Sequence, residues 1–353
     1  MTTTMAREIA EQPDALARTI EALRPMRPAV RELAAGRRTI LFVARGSSDN
    51  AAVYGRYLLE VHAGHPAGLA APSVGTHYGA RLDLSDAVVV SVSQSGETQE
   101  IVEAQDWAAR CGARTIAVTN GADSSLANAA DLALVTTAGR ELAVPATKSY
   151  TTQLAAMAIL AGALAPDPQA LDAHLDRVPA EVERLIRERA GVDDAADRLV
   201  DTPDTLVSGR GIAFGTALET ALKLEETCLR PVRGLSYADL RHGPIAVIDD
   251  EHVAVLVAAQ DGPMLAGMTE LADDLRDRGV GATVGIGGDG TFAAACDVAV
   301  AGPDLPELVA PLALIVPAQL MVEALARKLG LDPDAPRGLS KVTQTDPVDG
   351  GAT

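Results

Sequence analysis

Short apolar runs alternate along the chain with stretches in which apolar and polar residues mix at helical spacing. In the first half the runs are Thr39 to Ala44, Ala87 to Val92, Thr115 to Thr119 and Leu132 to Val135, and Asn50 to Val61, Glu100 to Ala113 and Thr147 to Leu164 lie between or after them. Unbroken apolar runs of this length predict strands buried on both faces, and their alternation with helices predicts βα units in a parallel sheet. The second half repeats the scheme: strands over Leu206 to Ser208, Val253 to Val257, Thr283 to Ile286 and Val298 to Ala301, helices over Phe214 to Cys228, Pro263 to Arg278 and Leu308 to Lys328. Phe42 to Ser48 and Leu206 to Ile212 share one local plan of strand, Arg/Gly turn and helix start. Two copies of one supersecondary scheme predict two similar domains.

The pattern also suggests boundaries. Residues 1–35 read as a helical segment, with Ile9, Leu16, Ile20 and Leu23 at helical spacing. A first domain over 36–200 ends in a charged connecting helix, Pro166 to Leu199, and a second covers 201–330, with the boundary near Asp201 to Asp204. Residues 331–353 form a tail. Leu308 to Leu325 is the richest apolar stretch, but Pro311, Pro317, Gln319 and Glu323 interrupt it, so it reads as a buried, kinked helix rather than a membrane span.

Composition narrows the functions. The chain has 353 residues, 48% of them hydrophobic, enough for two domain-sized cores. A net charge of -18 argues against nucleic acid as a partner, because a phosphate backbone needs a basic footprint. Cys111, Cys228 and Cys296 have no metal-ligand spacing and read as small buried hydrophobes of a reducing compartment. Glu8 and Glu11 break the first residues where a signal peptide needs an apolar core. The sequence predicts a cytoplasmic protein with no membrane partner, no metal and no organic cofactor.

Candidate chemistry sits in the turns that follow the strands, where open α/β sheets bind ligands. Ser93-Gln94-Ser95-Gly96-Glu97-Thr98 joins an apolar strand to a helix start. Free N–H groups, a positive dipole end and neutral hydroxyls there favour a phosphate, without requiring Lys or Arg; the plainer reading makes Thr98 an ordinary N-cap. Gly46-Ser47-Ser48 offers a second such turn, facing the same pocket if its strand is a neighbour. Lys148, at the start of a helix, reads either as a solvated charge or as part of the Glu141 to Lys148 segment's site. Glu219, Lys223 and Glu226 share one helix face, as a surface ion-pair stripe or, in a partly dry pocket, as an acid–base group. His242 lies in an irregular segment, Asp239 to Pro244. Arg337 and Lys341 are solvated tail charges unless the tail docks.

These residues, with Ala146-Thr147-Lys148-Ser149, Arg241-His242-Gly243-Pro244 and Pro336 to Lys341, resemble in order the motifs of the double sugar-isomerase (SIS) domain family. That family includes the isomerase half of glucosamine-6-phosphate synthase and the SIS-type glucosamine-6-phosphate deaminases. The resemblance implies an α/β fold of two similar SIS domains, each a parallel sheet flanked by helices in a flavodoxin-like three-layer sandwich. It further implies that Ser93, Gln94, Ser95 and Thr98 bind phosphate. Gly46, Ser47, Ser48, Val144 and Ala146 would contact the sugar, with Glu219, Lys223 and Arg337 in support. Glu226 would move a proton between C1 and C2, His242 would help open the ring in a neighbouring subunit, and Lys341 would meet the open-chain carbonyl. A tail that completes the site and a homodimer follow from the same resemblance.

Departures from the family pattern bear on the substrate. Ala146 stands where Ser is usual, Pro145 stiffens that loop, and Val232 to Ser236 replaces a more usual Ala/Glu-rich segment. The glutaminase segment of the synthase is missing, so ammonia from glutamine is not expected. The leading expectation is deamination of glucosamine 6-phosphate to fructose 6-phosphate and ammonia. The same base acting on N-acetylglucosamine 6-phosphate would give a dehydratase, with an Arg233-Gly234-Leu235 loop making room for the acetyl group. A non-catalytic sugar-phosphate sensor is the third reading.

Overall fold

In a computed structural model the described residues are 2–202, 204–342 and 344; the end of the expected tail, 345–353, lies outside them. Among them, ten strands form two five-stranded sheets, parallel throughout. The first contains β1 (Thr39–Val43), β2 (Ala67–Leu69), β3 (Ala87–Val92), β4 (Arg114–Thr119) and β5 (Leu132–Val135), in the order β2-β1-β3-β4-β5. The second contains β6 (Asp204–Gly209), β7 (Val232–Ser236), β8 (His252–Ala258), β9 (Ala282–Gly287) and β10 (Val298–Val300), in the order β7-β6-β8-β9-β10. Counted from its own first strand, the second sheet has the same connectivity as the first. The order 2-1-3-4-5 is the flavodoxin-like doubly wound arrangement, in which ligands bind where the chain reverses direction across the sheet. Here that crevice lies between β1 and β3, and again between β6 and β8. The duplication read from the local Phe42 and Leu206 segments is therefore one of whole-sheet topology.

Two compact units result. One holds the first sheet, in residues 18–139, 152–170 and the described residues after 339; the other holds the second sheet, in residues up to 17, 140–151 and 171–339. β3, buried at every position, is the spine of the first sheet, and β8 is buried beyond His252 in the second.

The structure corrects three expectations. The segment 166–199 is not one connecting helix: it breaks into Asp172–Leu175, Val178–Glu188 and Val192–Val200. Arg189 and Gly191 both take positive φ, which ends a right-handed helix, and the two longer helices pack on Pro311–Lys328 as part of the second-sheet unit. Val232 to Ser236 is not a loop but β7, an edge strand in parallel register with β6 from Thr205↔Val232 to Gly209↔Ser236. Gly234 permits this, since a Cβ there would lie 3.1 Å from the Ala221 and Leu218 side chains beneath. The supposed Arg233-Gly234-Leu235 loop is thus committed to sheet pairing. Asp239 to Pro244 is also more regular than expected, with a short helix over Tyr237–Arg241 capped by the Ser236 side chain.

Candidate functional site

The crevice of the first sheet is lined by neutral donors. β1 and β3 run side by side, with Val43 opposite Ser91, so the turns that follow them, Gly46 to Ser48 and Ser93 to Thr98, leave the same end of adjacent strands. Gly46 (φ 57) turns the chain into the Ser47–Leu58 helix, and buried Ser48 accepts a 3.0 Å bond from Gln153 Nε2 that fixes its hydroxyl. In the second turn Ser93 Oγ accepts from Gly96 N–H and Ser95 Oγ from Glu97 N–H, both at 3.2 Å. Gly96 takes φ 68, and a Cβ there would fall 2.2 Å from Ser124 Oγ. Thr98 is the N-cap of the Gln99–Arg110 helix, yet its side chain makes no capping bond. Its hydroxyl is therefore not consumed by the helix, unlike that of an ordinary cap. Gln344, at the far end of the sequence, accepts from Gln99 N–H at 3.1 Å.

Sequence reasoning missed the cation at this crevice. Arg45, just after β1, binds the buried Glu100 carboxylate with two nitrogens, at 2.8 and 3.1 Å. Glu100 offsets its charge, so the turn's donors stay close to neutral overall. The equivalent crevice of the second sheet differs in charge. Asp261 accepts from Glu307 N–H at 2.7 Å, and burial together with the Asp261 charge raises the Glu307 carboxyl above its ordinary value. Arg210 there lies over the Tyr237 ring at 4.3 Å. A pair of acids at this second crevice disfavours an anion, whereas beside the Ser/Thr turn the Glu100 carboxylate is paired with Arg45.

The second-sheet unit carries the titratable cluster. The Phe214–Cys228 helix places Glu219, Lys223 and Glu226 on one face, and that face is buried, not a surface stripe. Lys223 is 1% exposed and Glu219 0%, while Glu226 keeps 26% of its side chain open. Lys223 Nζ donates to Glu226 and stands 3.5 Å from Glu219. Burial works to lower the Lys223 pKa, but the Glu219, Glu226 and Glu141 carboxylates together raise it, so the lysine stays charged.

Glu141 belongs to the loop that leads to Val144 and Ala146, both half-buried. Its carboxylate accepts from Thr147 N–H at 2.9 Å and from Ser149 N–H and Oγ at 3.1 and 2.5 Å. Lys148 is not solvated: it is 2% exposed and donates to Glu11 and, at 2.6 Å, to the Arg140 carbonyl. Val144 N–H donates to the Asp334 carbonyl at 2.9 Å. Sequence reasoning missed Glu8, Glu11 and Asp334 as partners of this loop, because nothing local marks a contact more than a hundred residues away.

Val144, Ala146, Glu219, Lys223, Glu226, His242 and Arg337 thus share the second-sheet unit, whereas Gly46 to Ser48, Ser93 to Thr98 and Lys341 belong to the first-sheet unit. His242 is exposed at the C-cap of the Tyr237–Arg241 helix and takes no part in the Lys223 ion pairs. Arg337 is exposed and Lys341 half-buried. Among the described residues no helix is long and apolar enough to cross a membrane, and no cluster of three acidic, His or Cys side chains is placed to hold a metal.

Comparison with known proteins bears on the family and the fold. The SIS domain profile matches residues 33–163. The glutamine–fructose-6-phosphate aminotransferase [isomerizing] of Thermococcus kodakarensis is 35% identical over 350 residues, covering 96% of this chain and 57% of its own, so the chain spans little more than half of that relative. Among solved structures, the C-terminal domain of the Francisella tularensis glucosamine-fructose-6-phosphate aminotransferase superposes with a TM-score of 0.86 at 26% identity, covering 95% of this chain and 98% of that one. A Silicibacter pomeroyi protein assigned as a phosphosugar isomerase has a TM-score of 0.84 and 31% identity, over 94% of this chain and all of its own length. With two copies of one doubly wound sheet and a likeness that runs the whole length of a solved relative, the chain belongs to the SIS domain family.

Proposed function

We propose that the protein is a phosphosugar enzyme that opens an amino-sugar 6-phosphate and moves a proton between C2 and C1, converting glucosamine 6-phosphate to fructose 6-phosphate and ammonia. The observation that carries this reading is the Glu226 carboxylate, partly open on one side and tied on the other to a lysine that is itself buried. A base so held has a fixed direction and a constant neighbour charge, which suits repeated proton transfer between adjacent carbons. The Ser93, Gln94, Ser95 and Thr98 turn binds the phosphate and so supplies position rather than chemistry. His242 assists ring opening, and its exposure is consistent with service to a second copy in a homodimer. Arg337 supports the bound sugar.

In this reading the open-chain aldehyde loses its C2 proton to Glu226, giving an enolamine. Return of that proton to C1 produces a ketimine at C2, and water then replaces the nitrogen, releasing ammonia and leaving the ketone. In the same reading Lys341 is the amine that adds reversibly to the open-chain carbonyl.

Incubation with glucosamine 6-phosphate and, separately, N-acetylglucosamine 6-phosphate tests the proposal. Ammonia with fructose 6-phosphate from the first supports it. A product lighter by one water and still acetylated, formed from the second, replaces deamination with dehydration. Binding of both without turnover makes the protein a sensor.

A further inference from the structure

The loop that carries Val144 and Ala146 is held along its backbone by residues distant in sequence. Glu8, on the Thr4–Ala10 helix, is 3% exposed, and its carboxylate accepts from Leu142 N–H and, at 3.2 Å, from Ala143 N–H. Val144 N–H goes to the Asp334 carbonyl, and Thr147 N–H to Glu141. Pro145 has no N–H. Among the described residues, Ala146 is then the residue from Leu142 to Thr147 whose N–H has no acceptor within the protein. The Asp334 carboxylate ties the same helix down, accepting from Thr4 and Met5 N–H at 2.7 Å each.

We propose that Glu8 is a positioning residue for the sugar: by gripping two successive amides it sets the Val144 to Ala146 backbone so that the Ala146 N–H faces the open-chain hydroxyls. The proposal rests on the functional reading above, with the sugar lying against Val144 and Ala146 as the family resemblance implies. It gives the N-terminal helix a role that its sequence, read as a plain helical segment, did not suggest. Glu8 touches no substrate; it acts through the loop, and a carboxylate is suited to the task because its two oxygens can each take one N–H. A carboxamide turns a donor toward one of those amides.

The test compares wild type with Glu8→Gln in two binding measurements by calorimetry, using fructose 6-phosphate and inorganic phosphate. The expected result is roughly tenfold weaker binding of fructose 6-phosphate, as for loss of one hydrogen bond's worth of alignment, with inorganic phosphate affinity unchanged. Ala146 amide exchange in wild type should slow when the sugar phosphate is added. Unchanged fructose 6-phosphate affinity overturns the proposal, as does equal weakening of both ligands, which marks a general structural defect. If Glu8→Gln does not fold, Glu8→Asp keeps the charge but withdraws the oxygens by one methylene, and wild-type sugar affinity in that variant is equally fatal. Wild-type binding without turnover would remove the deaminase reading and leave the Glu8 comparison intact. If wild type binds no fructose 6-phosphate, both ideas fall.

Discussion

Lys223 Nζ stands 3.5 Å from the Glu219 carboxylate, with 1% and 0% of the two side chains exposed. An ion pair so far from water is a structural commitment, because removing either partner strands the other's charge. Lys223→Met leaves the buried Glu219 and its neighbour Glu226 without their shared cation and is expected to cost about 3–5 kcal/mol of stability, read as a lower urea midpoint. Adding Glu219→Gln should recover part of the loss. A single variant within about 1 kcal/mol of wild type, the range of exposed pairs, would show that the cluster is solvated after all.

Glu226→Gln keeps the shape of the side chain and removes the carboxylate proposed above as the base. Binding of sugar phosphate is expected to persist, while exchange of the C2 hydrogen with deuterated solvent, followed by NMR, should stop. Continued exchange would move the base assignment to another residue.

At the Ser93 to Thr98 turn, proposed above to bind phosphate, two variants separate ligand chemistry from folding. Thr98 makes no capping bond, so Thr98→Val should leave thermal stability unchanged, where loss of a working cap costs about 1 kcal/mol. Phosphosugar affinity should nevertheless drop by roughly tenfold, the worth of a hydrogen bond to a charged ligand. Gly96→Ala behaves oppositely: positive φ and overlap with Ser124 make it destabilising by about 1–3 kcal/mol. A destabilised Thr98→Val with normal affinity would return that residue to the role of a plain cap.

Burial raises the Glu8 carboxyl above its ordinary value of 4.5, against the opposing pull of the Leu142 and Ala143 N–H groups. The native state therefore holds this proton more tightly than the unfolded chain does. Its contribution to stability is complete below the unfolded value and is lost as pH rises through the raised one. Relative to Glu8→Gln, which does not titrate, wild type should lose stability as pH rises above the ordinary carboxyl value of 4.5, measured by urea unfolding at a series of pH values. A difference that is flat or grows with pH would contradict this sign.

Burial also pushes the Cys228 and Cys296 thiols up to about 12, whereas Cys111 is half-buried. Since the thiolate is the reactive form, a disulfide reagent at pH 8 should modify Cys111 alone in the native protein and all three cysteines after denaturation. Rapid labelling of Cys228 in the folded state would show that its helix opens readily.

The sequence by itself determined the central strands, the main helices and the Ser93 to Thr98 strand-to-helix turn. β1, β3, β4, β6, β8 and β9 are legible because a parallel strand covered on both faces must be apolar at nearly every position. The edge strands β2 and β7 were not: Ala67-Gly68-Leu69 and Val232-Arg233-Gly234-Leu235-Ser236 lack the apolar run that made the other two edges, β5 and β10, legible. For Glu219, Lys223 and Glu226 the spacing established a shared face, but only packing decided that the face is buried. The same holds for Lys148, whose charge Glu11 receives, and for Glu8 and Asp334, which reach the Val144 loop from opposite ends of the chain. Local pattern records what one turn or strand needs. Which distant carboxylate meets which amide is settled only when the tertiary fold closes, because each buried donor then takes whatever acceptor the packing brings within reach.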